Sequence, residues 1–339
     1  MNDKRSVGIL ATGSYTPERV LTNFDLEKMV DTSDEWIVTR TGIRERRISS
    51  PEQASSDLAY EAAKKALAKA KLSPEQLDMI IVATVTPDTM FPSTACILQD
   101  KLGATRAAAM DLSAACTGFL YGITTATQYI ANGLFKYILV VGVESLSKIT
   151  NYQDRNTCVL FGDGAGAAVI GEVKEGYGFQ SFELGADGSG GPLLCLPAGG
   201  SRTPATSETV ANNLHYLTMA GGEVFKFAVR VMNSATETVL TKAGLTKDDI
   251  DLLVPHQANK RIIDSAVQRF GLSEEKVVVN LDRYGNMSSA SIPVALDEAV
   301  EAGRVKEGDN LVLVGFGGGL TWGATLLKWS TTPAEGSKQ

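Results

Sequence analysis

The sequence predicts an α/β protein made of two similar halves, near residues 1–174 and 175–339. Length is the first reason, because 339 residues exceed one ordinary core and indicate about two domains or a duplicated fold. The second is alternation: helix-periodic segments separate short apolar runs throughout the chain. The third is an internal repeat. Leu67 to Ile81 aligns without gaps with Leu240 to Val254, a shift of 173 residues (240 − 67). Leu139-Val-Val-Gly142 matches Val312-Leu-Val-Gly315 at the same shift. Strands this apolar require helices on both faces, and two such halves leave a seam at the strand ends, where ligands bind.

In chain order, Val7 to Leu10 reads as a strand, and Asn23 is expected to cap a helix from Phe24 to about Val30. Asp31 begins a second helical turn carrying Trp36 and Arg40, and the charged run Arg44 to Arg47 reads as a solvated face. Ser56 to Ala70 is a helix, Met79 to Ala83 a buried strand, and Pro92-Ser-Thr opens a helix through Leu102. Ala107 to Leu112 reads as the end of a buried strand and Phe119 to Ile130 as the helix after it. Tyr137 to Gly142 is a strand. Phe161-Gly-Asp-Gly-Ala-Gly166 lacks the Lys-Ser/Thr of a phosphate loop and reads as tight strand packing. A long loop is expected over Gly185 to Thr209, and a helix over Glu223 to Leu240.

Composition narrows the function. Apolar content of 44% with 21% charged residues is globular, and a net charge of −7 disfavours nucleic acid. Cys96, Cys116, Cys158 and Cys195 are scattered without a Cys-x-x-Cys pair, which suggests neither a metal site nor a disulfide framework. No signal-peptide core and no apolar run of about 18 residues is present, so a cytoplasmic protein without a membrane span is expected. Only His215 and His256 are available for any Cys–His chemistry.

Cys116 stands at a strand-to-helix junction among Ser113, Ala114 and Ala115. A helix N-terminus favours an anion, so the thiol is expected to ionise easily; the competing reading is a small buried hydrophobe. His256 leaves the strand Asp251 to Pro255 at its C-terminal end and should face the seam. Asn286 lies in Arg283-Tyr-Gly-Asn-Met-Ser-Ser-Ala-Ser291, the second half's version of the cysteine junction, where Ser289 corresponds to Cys116. Asn286 could equally be a helix cap. Gly315-Phe-Gly-Gly-Gly-Leu-Thr-Trp-Gly323 bends after a strand and exposes N–H groups suited to an oxyanion hole. Together these residues suit acyl transfer. Papain-like proteases also run Cys, His, Asn, but their local signature is absent and the repeat has no place in that fold.

With these motifs, the chain resembles the β-ketoacyl-acyl-carrier-protein synthase III family almost end to end. Asp31-Thr-Ser-Asp-Glu-Trp-Ile-Val-Thr-Arg-Thr-Gly-Ile-Arg44, Ala115-Cys-Thr-Gly-Phe119 and Val254-Pro-His-Gln-Ala-Asn259 carry the resemblance alongside the glycine and asparagine motifs above. It implies a thiolase-like fold, internally duplicated in five α/β/α/β/α layers, normally a homodimer. It implies decarboxylative condensation of a short acyl-CoA with malonyl-acyl carrier protein, by a ping-pong route through an acyl-cysteine. Cys116 would be the nucleophile, His256 and Asn286 the pair that promotes decarboxylation, and the N–H groups of Cys116 and Gly318 the oxyanion hole. Trp36, Arg40, Arg155, Phe225 and Asn259 would bind CoA. Lys226, Arg230, Lys260 and Arg261 would meet the acyl carrier protein, and Phe91 and Phe316 the acyl group. Acyl-CoA is a substrate, and neither a metal nor a cofactor is implied, nor a nucleic-acid or membrane partner. Elongating synthases would have histidine at Asn286, and thiolases a later cysteine. Type III polyketide synthases share the trio but carry a proline in the glycine motif. Differences around Phe91 and Ala198 to Tyr216 leave the primer, acetyl or branched short acyl, open.

Overall fold

The computed structural model describes residues 5–334. The first half contributes β1 (Val7–Tyr15), the antiparallel pair β2 (Arg19–Thr22) and β3 (Glu45–Ile48), then β4 (Met79–Ala83), β5 (Ala108–Leu112), β6 (Ile138–Ser145) and β7 (Asp163–Glu172). The second contributes β8 (Gly178–Ala186), the two-residue strands β9 (Leu194–Cys195) and β10 (Thr218–Met219), β11 (Leu252–Pro255), β12 (Asn310–Gly317) and β13 (Thr321–Lys328). One sheet has the order β1-β7-β6-β4-β5 and the other β11-β12-β13-β8. In each, a parallel pair (β4 with β6, β11 with β12) is followed by an antiparallel strand (β7, β13) and an antiparallel edge (β1, β8). The counterpart of β5 shrinks in the second half to a parallel bridge between Leu253 and Val277.

Five layers follow from where apolar faces find partners. Helices Gly118–Ala131 and Ser291–Glu301 lie between the sheets and touch strands of both. Each buries residues around most of its circumference, as a central layer demands. Ser55–Ala70 and Thr94–Leu102 cover the outer face of the first sheet, and Gly221–Lys242 covers that of the second, with Lys260–Phe270 packed on it. This is the thiolase-like α/β/α/β/α arrangement. It aims the ends of β4, β6, β11 and β12 toward one seam.

Several local expectations change. Thr22, not Asn23, caps the first helix, which runs only from Asn23 to Leu26. Asn23 is buried, its amide donating to Asp34 Oδ1 and Ile43 O at 2.8 Å each. β5 is a half-buried sheet edge, not a buried strand. The expected loop after Gly185 is broken by a 3₁₀ turn (Gly188–Leu193), the β9–β10 pair and a short helix (Ser207–Ala211). The run from Arg44 to Arg47 is no solvated face, because Arg46 is completely buried. The glycine run is tight packing: a Cβ on Gly162 would lie 2.3 Å from Tyr284 O, and one on Gly166 2.7 Å from Val294 N.

Candidate active site

β5 ends at Leu112, and a 3₁₀ turn (Ala115–Thr117) delivers Cys116 just before the helix Gly118–Ala131. Ala115 takes a left-handed backbone there, φ 47°. The turn is tied to the glycine bend across the seam. Thr117 Oγ1 donates to Ala114 O (2.7 Å) and lies 2.9 Å from Thr321 Oγ1, which reaches Gly318 O at 3.3 Å. Gly317 lies so close that a Cβ on it would sit 2.7 Å from the Cys116 nitrogen, so only glycine brings the two backbones together. Contrary to the sequence expectation, the thiol does not ionise easily at rest. Burial pushes it up to about 12, with the Ser288 hydroxyl opposing the rise and the Glu144 carboxyl adding to it.

His256 extends the β11–β12 ladder by one bond, its N–H donating to Val314 O at 2.8 Å. The next residue, Gln257, is fully buried and staples the strand end. Its amide donates to Pro255 O (2.8 Å) and Val278 O (3.0 Å), and its Oε1 accepts from Asn280 N (3.0 Å). The imidazole meets Phe316 edge-on, with ring centroids 5.4 Å apart. Both ring nitrogens are buried without a protein hydrogen-bond partner. Burial holds the ring neutral, with its pKa lowered to about 3. A buried imidazole with two unpartnered nitrogens is one that waits for a ligand.

Asn286 is clamped by its backbone. Its N–H donates to Leu160 O (2.8 Å), and its carbonyl accepts from Gly162 N (3.0 Å). Its Oδ1 accepts from Ser288 N at 2.8 Å, which fixes the amide and leaves Nδ2 as the donor. That bond is itself of the capping kind, at the head of the 3₁₀ turn Ser288–Ala290, and it leaves the amide donor free of it. Arg46 supports the same segment: its guanidinium donates to Val159 O (2.8 Å), Asn23 Oδ1 (2.9 Å) and Leu21 O (3.1 Å).

Cys116 divides two cavities. One is lined by Cys116, His256, Asn286, Phe225, Asn259 and Phe316 among others. The other runs past Cys116 and Gly318 to Val85, Leu146, Ile149, Leu196 and Leu217. Phe316, expected at the acyl pocket, belongs to the first cavity and not the second. Phe91 lines neither and is 85% exposed, beside Met90 at 78%.

Outside, the guanidiniums of Arg40 and Arg155 lie 5.0 and 5.3 Å from the Trp36 ring centroid. Arg155 also donates to Asp31 O at 3.1 Å. Asn259 caps the helix Lys260–Phe270 and donates through Nδ2 to Arg40 O at 3.0 Å, joining cavity mouth to outer platform. Arg261 stacks over Phe225 (5.2 Å) and Arg230 over Phe227 (5.8 Å). Lys226 pairs with Glu223 at 3.0 Å and Lys260 with Asp264, so only part of the basic patch is uncompensated.

Sequence reasoning passed over Glu144, Ser288 and Arg46. A carboxylate closing the apolar strand β6 was the available sign of the first, and the 173-residue repeat, which pairs Ser288 with Ala115, of the second.

Comparison with known proteins shows the family. Residues 110–188 match the family 3-oxoacyl-[acyl-carrier-protein] synthase III, and residues 240–329 match its C-terminal family. The β-ketoacyl-[acyl-carrier-protein] synthase III of Desulfitobacterium hafniense is 63% identical over 96% of this chain and 98% of its own. That of Symbiobacterium thermophilum is 66% identical over the same shares. The solved structure of the Thermus thermophilus enzyme superposes with a TM-score of 0.89 at 53% identity, covering 96% of this chain and 100% of that one. The chain belongs to the β-ketoacyl-[acyl-carrier-protein] synthase III family.

Proposed function

We infer that this acyltransferase condenses a short acyl-CoA with malonyl-acyl carrier protein, releasing CoA and CO₂ and opening bacterial type II fatty acid synthesis. One observation carries the reading. A thiol, a neutral imidazole with two free nitrogens and an oriented amide donor line one cavity. In the first half-reaction Cys116 sulfur attacks the acyl carbonyl, CoA leaves, and the N–H groups of Cys116 and Gly318 hold the developing oxyanion. The acyl chain extends into the apolar cavity of Val85, Leu146 and Leu217. In the second, the malonyl thioester loses CO₂, and His256 and Asn286 donate to the resulting enolate oxygen. The enolate carbon then attacks the acyl-cysteine. Decarboxylation supplies the carbanion, so no strong base is required, and an imidazole held neutral suits a donor's role.

CoA enters past Asn259 and Phe225, with its base at Trp36 and Arg155 and a phosphate at Arg40. Arg230, Arg261, Lys226 and Lys260 form the face for the acidic carrier protein. The chain acts as a homodimer. The half-buried β5 edge and the exposed Met90 and Phe91 are the surfaces that a second copy would cover. Its place is the cytoplasm; no helix among the described residues is long and apolar enough to cross a membrane.

Incubation with radiolabelled acyl-CoA primers tests the chemistry. Label should transfer to Cys116 and not to a Cys116→Ala variant, and malonyl-carrier protein should far outperform malonyl-CoA as extender. Label that stays with CoA for every short primer sinks the reading. Equal use of malonyl-CoA would place the chain with polyketide-type condensation instead.

A further inference from the structure

Consecutive glycines, Gly317 to Gly319, form the bend opposite the thiol turn. No side chain restricts their backbone, so hydrogen bonds must set which way the bend faces. Those bonds converge on Thr321, which opens β13 and pairs with Gly317 in the last rung of the β12–β13 ladder. Its hydroxyl lies 3.3 Å from Gly318 O, 3.2 Å from Ala114 O and 2.9 Å from Thr117 Oγ1. Thr117 is fully buried, and its own hydroxyl lies 2.7 Å from Ala114 O. Its backbone N–H donates to the same carbonyl at 3.2 Å.

Counting protons makes this tie obligatory. Each hydroxyl has one proton to give, and two hydroxyl oxygens at 2.9 Å need one of those protons between them. If Thr321 gives it, Thr117 keeps Ala114 O for its own proton. If Thr117 gives it, Thr321 donates to Gly318 O or Ala114 O. Either way Thr321, in the second half, is bonded to the turn that carries Cys116, across a chain separation of 204 residues from Thr117.

We propose that Thr321 is the positioning residue of the oxyanion site, holding the glycine bend against the thiol turn through Thr117. The role presupposes the acyl transfer described above. As Cys116 sulfur bonds the acyl carbon, the carbonyl electron pair moves onto oxygen, and two N–H groups must meet that oxygen together. One belongs to Cys116 and the other to Gly318, so neither half of the chain sets their spacing alone. The approach is close: a Cβ on Gly317 would lie 2.7 Å from Cys116 N, and one on Gly318 3.5 Å from Ala115 Cβ. The other clamp on the bend, Asp187 N donating to Leu320 O at 3.1 Å, ties it to the end of β8 and not to the thiol turn. Thr321 alone among these bonds reaches across the seam to the nucleophile.

The test compares two reactions of one sulfur in the full-length protein. Acyl-cysteine formation from radiolabelled acyl-CoA builds charge on a carbonyl oxygen. Alkylation by iodoacetamide expels iodide and builds none there, so it reports the thiol without the oxyanion site. Thr321→Val keeps the shape and removes the hydroxyl. Its maximal rate of acyl-cysteine formation should fall about 10–100-fold with the KM for acyl-CoA unchanged. Alkylation of the Cys116 peptide, read by mass spectrometry, should keep its wild-type rate, and Thr321→Ser should restore acylation. Thr117→Val cuts the same tie from the other side, should behave alike, and decides the matter if Thr321→Val does not fold. Valine variants that acylate at the wild-type rate overturn the proposal. So does a parallel fall of acylation and alkylation, or a serine variant that restores nothing. A wild-type protein that alkylates but takes no acyl label would overturn the acyl-transfer reading itself, and this role with it.

Discussion

Ala115 and Ser288, 173 residues apart in the chain, share the same left-handed backbone, φ 47° and 45°. That separation is the offset of the internal repeat, so the duplication extends to a strained turn that neither half can make with an ordinary backbone. In the first half the turn presents Cys116. In the second it presents Ser289, which packs against Glu144 and β4. One ancestral junction thus supplies the nucleophile and, in its second copy, part of what lies behind it.

Strain at Ala115 sets the first prediction. Left-handed backbone costs a non-glycine residue about 1–2 kcal/mol, and a β-branched one more. Ala115→Gly should therefore leave urea stability unchanged or raise it by up to about 1 kcal/mol. Ala115→Val should lose at least about 2 kcal/mol and the acyl-cysteine with it. A valine variant as stable as wild type would mean that the turn relaxes freely.

Gly317 should be irreplaceable for chemistry but not for folding. A methyl there would meet the Cys116 nitrogen at 2.7 Å, so Gly317→Ala must push the glycine bend away from the thiol turn. Removing an oxyanion donor typically costs about 10²–10³ in kcat. Acyl-cysteine formation should fall by that order while circular dichroism stays native. Retention of most activity would show that the N–H groups near Gly317 do not hold the oxyanion.

His256 and Asn286 should matter for the second half-reaction alone. His256→Ala and Asn286→Ala should still take label from acyl-CoA onto Cys116. Condensation with malonyl-carrier protein should drop about 10²–10³-fold in each, the scale for loss of one donor to an enolate. Loss of labelling in both variants would assign the pair to thiol activation instead.

The fold and the trio were legible because both rest on signals that sequence carries directly: apolar periodicity, a repeat, and small or polar residues at strand ends. Cys116 and His256 are placed by the ends of β5 and β11, the second a fully apolar and buried strand. The charge state of the site was not legible. A helix N-terminus is visible in sequence, but the burial that overrides it depends on residues from both halves meeting at the seam. Arg46 failed for a related reason. A run of arginines gives no local sign that one of them turns inward, since its partners Leu21, Asn23 and Val159 lie 25, 23 and 113 residues away. Motif position likewise does not show that Phe91 lies on the open surface of the single chain.

Arg46 yields a stability prediction of its own. It is buried with three acceptors and no carboxylate, and burial brings its guanidinium down to about 10. Arg46→Ala would orphan Leu21 O, Val159 O and Asn23 Oδ1 and open a void. Each unpaired buried acceptor costs about 1–3 kcal/mol, so a loss above about 3 kcal/mol is expected. Arg46→Lys should recover only part, because an ammonium cannot span the fork that joins β2 to the segment holding Asn286. Full recovery by lysine would show that charge, not geometry, is what the site needs.

The last prediction concerns acid. His256 is neutral when buried and takes up a proton only near pH 3, whereas in the unfolded chain it does so near its ordinary 6.5. Between those values the unfolded state binds one proton more than the native state. Stability therefore falls as pH falls through this window, by about 1.4 kcal/mol per pH unit from this residue. Above about pH 7 it contributes no slope. Carboxylates add their own dependence toward the acid end, so the quantity to measure is a difference. Urea unfolding of wild type and His256→Ala at pH 7, 6, 5 and 4 should diverge in slope below pH 6.5, with wild type the steeper. His256→Ala pays a constant cost for its cavity at every pH, which shifts its curve without tilting it. Parallel curves from pH 7 to 4 would show that the imidazole takes up its proton in the folded protein. It would then be partly cationic near neutrality, and its role as a neutral donor to the enolate would fail with it.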